Sequence, residues 1–449
     1  MKVYALESPK PWWAYDSGRW LSRLDRFAPL IAIAIFVGLG VKFMSFRHKS
    51  DWNDVYLHAA TLMSEGRPLY SEFTLFTYPP FMAWLAIPLA KLPPVPSRAA
   101  WLAVHLFCFV GMVRLAWSWI YPRIPTAQLT DAERWQRWAV FAFGLLLGGR
   151  AMTNCMLHHQ TDLVVGLIVF LGIDRVLKNR PSAAAVWFGL AAALKCTPLL
   201  WVALFCWTGP RRAAVIVVGV AVAANLLPNL THPLPSGTWF GQWLSQVLFN
   251  TLEPNKYPGQ WNVDVMTNQS LAGSFYAWLT TTWSWDASGF SFRHIPQPLL
   301  TAKTAKLLVY AIAFTLMFVS LMRLPWAELK SRLWKPSNVF HCSMILCLML
   351  LLSPMSHKTH FGLLLVPGFA LGRAWIDNRS RLLTLALGAV LFLQIVSLRA
   401  ISVPLASLAS WYGAQMLSTA GLLISCWIVL TPRREAAAIE TPTPLIKAA

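Results

Sequence analysis

The chain has 449 residues, of which 56% are hydrophobic and only 12% are charged. Soluble domains carry about 25% charged residues, so this composition excludes a soluble globular protein and indicates one embedded in a bilayer. The net charge of +20 lies in short loops between apolar runs, which is the positive-inside pattern and not the basic stripe of a nucleic-acid-binding domain. We therefore expect membrane lipids as partners, and no nucleic acid.

The N-terminal residues 1–26 combine basic side chains with tryptophans, including Arg19, Arg23 and Trp20. Such a segment before a first apolar run predicts a cytoplasmic N-terminus and a first membrane span at 27–46. We expect one integral-membrane domain over 27–430 and a cytoplasmic tail over 431–449.

The first outer loop, 47–98, places two of the few acids, Asp51 and Asp54, just beyond the first span. Carboxylates at that depth indicate chemistry at this face of the membrane. The alternative is that they only cap a helix beginning near Val55. The apolar stretch 79–92 is bounded by prolines and is short for a span, so it is expected to be re-entrant or interfacial.

The basic loops set the rest of the topology. Lysines and arginines cluster at 323–335 and at 373–381, and placing both clusters in the cytoplasm puts the polar inserts on the outer face. These inserts are 150–161, the neighbourhood of Lys195, the second outer loop 231–297, and 353–360. Apolar runs of sufficient length predict about 10–13 transmembrane or half-membrane helices.

Two inserts hold residues with more than one interpretation. Lys195 and Pro198 interrupt an apolar segment, which predicts a broken helix lining a cavity, although the lysine can also snorkel or pair with a backbone carbonyl. Asn268 and Gln269 either bind substrate or cap a helix starting near Ser270.

An ordered series of short motifs runs through roughly 50–375. It comprises Asp51…Tyr56, Tyr78-Pro79-Pro80, His159-Gln160-Thr161-Asp162, Leu194-Lys195…Pro198, Asn268-Gln269-Ser270, and Ser353-Pro354…His357…His360. This series resembles glycosyltransferase family 87. The resemblance implies an all-α polytopic membrane protein of the C-type glycosyltransferase fold, with structured outer loops.

The resemblance also implies an activity. Family members include polyprenyl-phosphate-mannose-dependent α-mannosyltransferases and some arabinofuranosyltransferases. We expect transfer of a sugar from a polyprenyl-phosphate donor to a lipid-linked or envelope glycan acceptor, and mannose is the leading candidate for that sugar. The active site of this inner (plasma) membrane protein would face the periplasm or extracytoplasmic side, and no cofactor or metal is expected.

The chemistry assigns roles to the candidate residues. The acceptor hydroxyl needs a general base, for which Asp51 and Asp54 are both candidates, and a single base predicts inversion. The departing phosphate needs positive charge and hydrogen-bond donors. The candidates for donor or substrate binding are Tyr56, Tyr78, Arg150, His159, Gln160, Lys195, Asn268, Gln269, His357, Lys358 and His360.

A transporter or flippase of lipid-linked sugars is the alternative function, because it would also contain broken helices and buried cations. Such proteins usually show an internal repeat, and none is visible in this sequence. His357 and His360 have a spacing that can suit a metal, but no acid or cysteine lies beside them in sequence.

Overall fold

The computed structural model describes residues 17–45, 50–70, 75–122, 124, 128–249, 267–280, 286–287, 290–291, 299–324 and 338–431. These residues are helical and loop segments apart from one antiparallel pair of two-residue strands, β1 (Asp286–Ala287) and β2 (Phe290–Ser291). The predicted all-α fold class is confirmed.

The helices of the first half follow one another with short connections. They are α1 (Ser17–Ser45), a π-helical turn (Trp52–Leu57) leading into α2 (His58–Ser64), α3 (Pro80–Ala90), α4 (Pro94–Ile120), α5 (Asp131–Gly144), a π-helical turn (Leu145–Gly149), α6 (Arg150–His158), α7 (Asp162–Leu177), α8 (Pro181–Leu194), a 3₁₀ turn (Thr197–Leu199), α9 (Leu200–Thr208) and α10 (Arg211–Thr231).

The second half continues the bundle, and its first two helices lie within the second predicted outer loop, 231–297. Its helices are α11 (Trp239–Trp243) with a π-helical turn (Leu244–Leu248), α12 (Leu271–Leu279), α13 (Ala302–Met322), α14 (Asn338–Leu352), a 3₁₀ turn (His360–Leu364), α15 (Leu365–Asp377), α16 (Arg381–Val396), α17 (Val403–Trp411) and α18 (Ala414–Leu430).

Within the described residues, five helical stretches are long and apolar enough to cross a bilayer. They are Arg23–Ser45, Pro94–Ile120, Asp131–His158, Arg211–Thr231 and Ala302–Met322. The pair α17 and α18 passes the same test together but is bent by 64°, and several shorter apolar helices accompany them. The chain is therefore a multi-pass membrane protein, and the predicted first span at 27–46 coincides with the first of these stretches.

Contacts distinguish the two ends of the bundle. At one end, Asp25 of α1 forms an ion pair with Arg134 and accepts a hydrogen bond from Trp138 at 2.9 Å. Arg373 stacks over the ring of Tyr121 at the same end. We call this the basic end. The opposite end, where Asp51, Gln160, Lys195 and Thr359 meet, is called the site end.

Glycines allow α5 and the turn that follows it to pack closely against α15. A Cβ atom at Gly148 would lie 2.6 Å from the backbone nitrogen of Leu365, and one at Gly368 would lie 2.8 Å from the Cα atom of Gly144. Each helix thus presents a small residue at the contact, which is how membrane helices gain van der Waals packing without a hydrophobic driving force.

Two local predictions are resolved by the helix bounds. The segment α3 has 11 residues, a length of about 16 Å at 1.5 Å per residue, so it is too short to span about 30 Å of hydrocarbon. It packs on the site end of α10, where the backbone N–H of Phe81 donates to Asn225 at 3.0 Å. The predicted helix break at Lys195 is also found, because α8 ends at Leu194 and Lys195 has extended backbone.

Candidate functional site

The opening acids of the outer loop have different environments. Asp51 directly precedes the π-helical turn, but its side chain makes no capping hydrogen bond. Asp54 is exposed and lies inside that turn. The alternative, that the two acids only cap a helix beginning near Val55, is therefore wrong, because the helix begins earlier, at Trp52, and Asp51 makes no capping hydrogen bond.

Aromatic packing fixes the backbone next to Asp51. The Trp52 indole is fully buried and stacks on Trp101 of α4, with ring centroids 4.1 Å apart. Its Nε1–H donates to the hydroxyl of Ser97 at 3.3 Å. One turn later, the buried Tyr56 hydroxyl lies 3.3 Å from that of Thr161. These contacts hold the acidic turn against the start of α7.

Gln160 connects Asp51 to the rest of the site. The residue before it, His159, has a left-handed backbone with φ of 58° and ends α6. The carbonyl of Gln160 accepts a hydrogen bond from His105 at 2.8 Å, which fixes the turn. The side-chain amide of Gln160 then donates to the Asp51 carboxylate at 2.5 Å.

Thr359 lies between this pair and a second carboxylate. Its hydroxyl lies 2.8 Å from the amide oxygen of Gln160 and 2.8 Å from Asp162 Oδ2. A hydroxyl has one proton and donates to one acceptor at a time, and an ionised carboxylate is the stronger acceptor. Thr359 therefore donates to Asp162 and only lies next to the Gln160 amide oxygen, so Asp51 and Asp162 belong to one polar cluster without a continuous chain of hydrogen bonds.

Asp162 forms a compact charged cluster with Lys195 and His360. Lys195 Nζ lies 2.6 Å from Asp162 Oδ1 and 2.6 Å from His360 Nε2. The side chains of Lys195 and Asp162 are only 13% and 9% exposed. Burial lowers the pKa of His360 to about 3, so the ring is neutral and lies against the ammonium without adding a charge. Lys195 thus pairs with a carboxylate, not with a backbone carbonyl.

This cluster forms one wall of a small cavity. Apolar side chains such as Val165 and Met349 complete the wall, and Ser353 and Ser356 add hydroxyl groups. Tyr78 lies close by, with Lys195 Nζ 5.8 Å from the centroid of its ring. The arrangement combines an apolar surface with a small number of fixed polar groups, as ligand sites commonly do.

Arg150 and Lys358 line a second small cavity. The His357 ring lies near that of His360, with centroids 6.5 Å apart. Burial lowers the pKa of His357 to about 4. The candidate cations are thus divided between two cavities, because Lys195 lies in the wall of the first one, and their binding of substrate stays a prediction.

Three further candidates have structural contacts. The His159 ring is buried and packs on Phe43, with centroids 3.8 Å apart. Asn268 Oδ1 accepts from the backbone N–H of Ser356 at 3.0 Å, and Gln269 Nε2 donates to the carbonyl of Ser410 at 2.7 Å. The helix cap after them is Ser270, whose hydroxyl accepts from Gly273. Substrate binding by His159, Asn268 and Gln269 stays a prediction.

Sequence reasoning did not select Asp162 or Thr359 as site residues. Asp162 belongs to the motif that suggested the family, and a buried lysine implies a nearby anion. The sequence could therefore have indicated Asp162 as the partner of Lys195. It could not have indicated Thr359, because a single threonine between a lysine and a histidine forms no distinctive pattern.

The fold and the site together define a multi-pass membrane protein with a buried network of carboxylate, amide and ammonium groups at one end. A model of glycosyltransferase family 87 matches residues 76–354, and the chain belongs to that family. The match includes Tyr78, Gln160 and Lys195 but not Asp51. No curated protein matches the chain. The protein is thus a membrane glycosyltransferase.

Proposed function

We propose that this protein transfers a sugar from a polyprenyl-phosphate donor to a lipid-linked or envelope glycan acceptor, with Asp51 as the general base. Mannose is the leading candidate for the sugar. The observation that carries this proposal is the Asp51–Gln160 contact of 2.5 Å, which fixes one carboxylate beside the Lys195 cavity. Asp54 is exposed and has no such contact.

The environment of Asp51 suits a base. Burial raises the pKa of this carboxyl above its ordinary value, and the Gln160 hydrogen bond partly opposes that shift. A carboxylate with raised proton affinity accepts a proton from a sugar hydroxyl more readily than one in water. The amide also fixes the direction of the carboxylate toward an incoming acceptor.

Charge pairing favours a one-step reaction. A retaining mechanism needs a second carboxylate that is free to attack the anomeric carbon. Asp162 is the second carboxylate of the network, but both of its oxygens are in use by Lys195 and Thr359. We therefore expect a single displacement, with the acceptor oxygen bonding to the anomeric carbon as the bond to phosphate breaks, and inversion of that carbon.

The position of the site supports reaction at the outer face. The basic end carries Arg134 and Arg373, and positive residues favour the cytoplasm. The site end is the opposite end of the same bundle. A donor held there would have its phosphate and sugar at the outer surface and its prenyl chain among the apolar helices.

The test is sugar transfer by membranes containing the protein, assayed with a panel of polyprenyl-phosphate sugars. Asp51→Asn keeps the shape and removes the base, so turnover should fall by at least the roughly 10²–10⁴-fold typical of general-base loss. Asp54→Asn is the matched control and should retain most activity. Near-normal transfer by Asp51→Asn would refute the role of this carboxylate, and absence of transfer with every donor in the wild type would favour a transporter.

A further inference from the structure

A second cavity lies beside the site and shares no lining residue with the cavity at Lys195. Its walls come from the π-helical turn before α6, from α6, α16 and α18, and from the loop at 353–360. The lining residues are Leu147, Arg150, Ala151, Asn154, Lys358, Gln394 and Gln415. None of these is acidic, and two are cationic.

The hydrogen bonding of Arg150 is incomplete. Its Nη2 group donates to the carbonyl of Ser397 at 2.8 Å, whereas its Nη1 group is buried and makes no hydrogen bond. A guanidinium is always charged, and a buried donor without an acceptor is costly. An acceptor in the cavity would remove that cost.

Lys358 has positive neighbours and no described counter-ion. Burial, followed by the charges of Arg399 and Arg150, lowers the pKa of Lys358 to about 8. Within the described residues, none of Arg150, Lys358 and Arg399 forms an ion pair. The two cations that line the cavity, and the nearby charge of Arg399, therefore repel one another unless an anion is present.

The cluster at Lys195 differs in this respect. Its lysine is neutralised by Asp162 at 2.6 Å, so it has little net charge to offer a phosphate. The cavity at Lys358, in contrast, has a net positive charge, because no acidic residue in the described part of the chain lines it. Lys358 is also adjacent in sequence to Thr359 of the Asp51 network, and consecutive Cα atoms are only about 3.8 Å apart.

We infer that Arg150 and Lys358 bind the phosphate of a lipid substrate beside the reaction site. This inference rests on the proposed function, because it names where that substrate is held. Arginine binds phosphate oxygens through paired N–H donors, and Asn154 and Gln415 supply further polar groups at the wall.

The surroundings favour a lipid as the source of the phosphate. The helix that carries Gln394 also carries Phe392 and Ile395, which are exposed on its surface. In a bilayer such side chains contact hydrocarbon chains. The phosphate is that of the polyprenyl donor or that of an anionic acceptor lipid, and the experiment separates these sources.

The test measures lipid binding to the purified full-length protein in nanodiscs of phosphatidylcholine. The probes are polyprenyl phosphate against polyprenol, and phosphatidylinositol against diacylglycerol. We expect the wild type to prefer the charged member of at least one pair. Lys358→Gln should weaken binding of that lipid by roughly 10- to 100-fold, as for a lost charge-assisted contact, and the responding pair identifies the source.

Matched variants complete the test. Lys358→Arg should keep the preference, and Lys91→Gln, at an exposed lysine near the start of α4, should leave binding unchanged. Equal binding of charged and neutral lipids by the wild type, or unchanged binding by both Lys358→Gln and Arg150→Gln, would overturn the inference. Binding requires no sugar transfer, so this result is independent of the Asp51 experiment.

Discussion

The amide of Gln160 donates to the carboxylate of Asp51 at 2.5 Å, although the two residues are 109 positions apart. This contact stabilises the ionised form of Asp51 and opposes the effect of burial, which raises the pKa of the carboxyl. The contact thus influences the pH at which a base at this position becomes protonated.

Gln160→Met should move the acid limb of the pH–activity profile to higher pH. Removing the donor raises the pKa of Asp51 further, so a larger fraction is protonated, and inactive as a base, at any given acidic pH. The measurement is kcat/KM against pH. Gln136→Met, on α5 near the basic end, is the control, and an unshifted acid limb in Gln160→Met would contradict the role of the amide.

Gly148→Ala should lower the thermal stability of the protein in detergent. Its Cβ atom would lie 2.6 Å from the Leu365 backbone nitrogen, so α15 must move away, and overpacking of this kind costs about 1–3 kcal/mol. Gly219→Ala is the matched control in α10, because nothing lies within 4 Å of its Cβ position. A melting temperature lowered equally by both variants would show that the close approach is not the cause.

Part of this site was accessible from the sequence. A lysine followed by a proline within an apolar run predicts the helix break at Lys195, because a lysine is costly in hydrocarbon and a proline removes a backbone hydrogen bond. The ordered motifs predicted the family and selected Gln160 before its partners were visible. The all-α, multi-pass fold followed from composition and from the length of the apolar runs.

The remaining features depend on tertiary contacts. The helix near Val55 begins at Trp52 because that indole stacks on Trp101, 49 positions later. Asp162 meets Lys195 because α7 begins where α8 ends, a pairing that needs the path of both helices. The sequence likewise does not predict that Lys195 has a carboxylate partner among the described residues and that Arg150 and Lys358 do not, because ion pairing depends on which side chains the fold brings within a few ångströms.

Asn268→Ala should destabilise the loop that carries Thr359 and His360. The Asn268 side chain accepts from the Ser356 N–H at 3.0 Å and donates to the Pro354 carbonyl at 3.0 Å. Leaving these buried groups unsatisfied costs about 1–3 kcal/mol. The melting temperature and kcat should therefore both decrease. A variant with unchanged stability but a raised substrate KM would instead indicate direct substrate binding.

The last prediction distinguishes the contribution of the Lys195–Asp162 ion pair to stability from its contribution to activity. Lys195→Met leaves the Asp162 carboxylate buried without its cation, and breaking such a pair costs about 3–5 kcal/mol. Asp162→Asn should destabilise the protein in the same way, by leaving the ammonium unpaired. The double variant Lys195→Met/Asp162→Asn removes both charges and should recover much of the lost stability.

Recovery of stability allows the chemistry to be examined separately. Unfolding in detergent gives the stability of each variant, and sugar transfer gives its activity. If the cluster serves the reaction, the double variant should fold but remain at least about tenfold less active, since a charge-assisted contact of about 1.5–3 kcal/mol is lost. Wild-type activity in the stable double variant would show that the pair is structural. A double variant less stable than both single variants would contradict the charge-pairing explanation, because each lost partner would then carry a cost unrelated to the other.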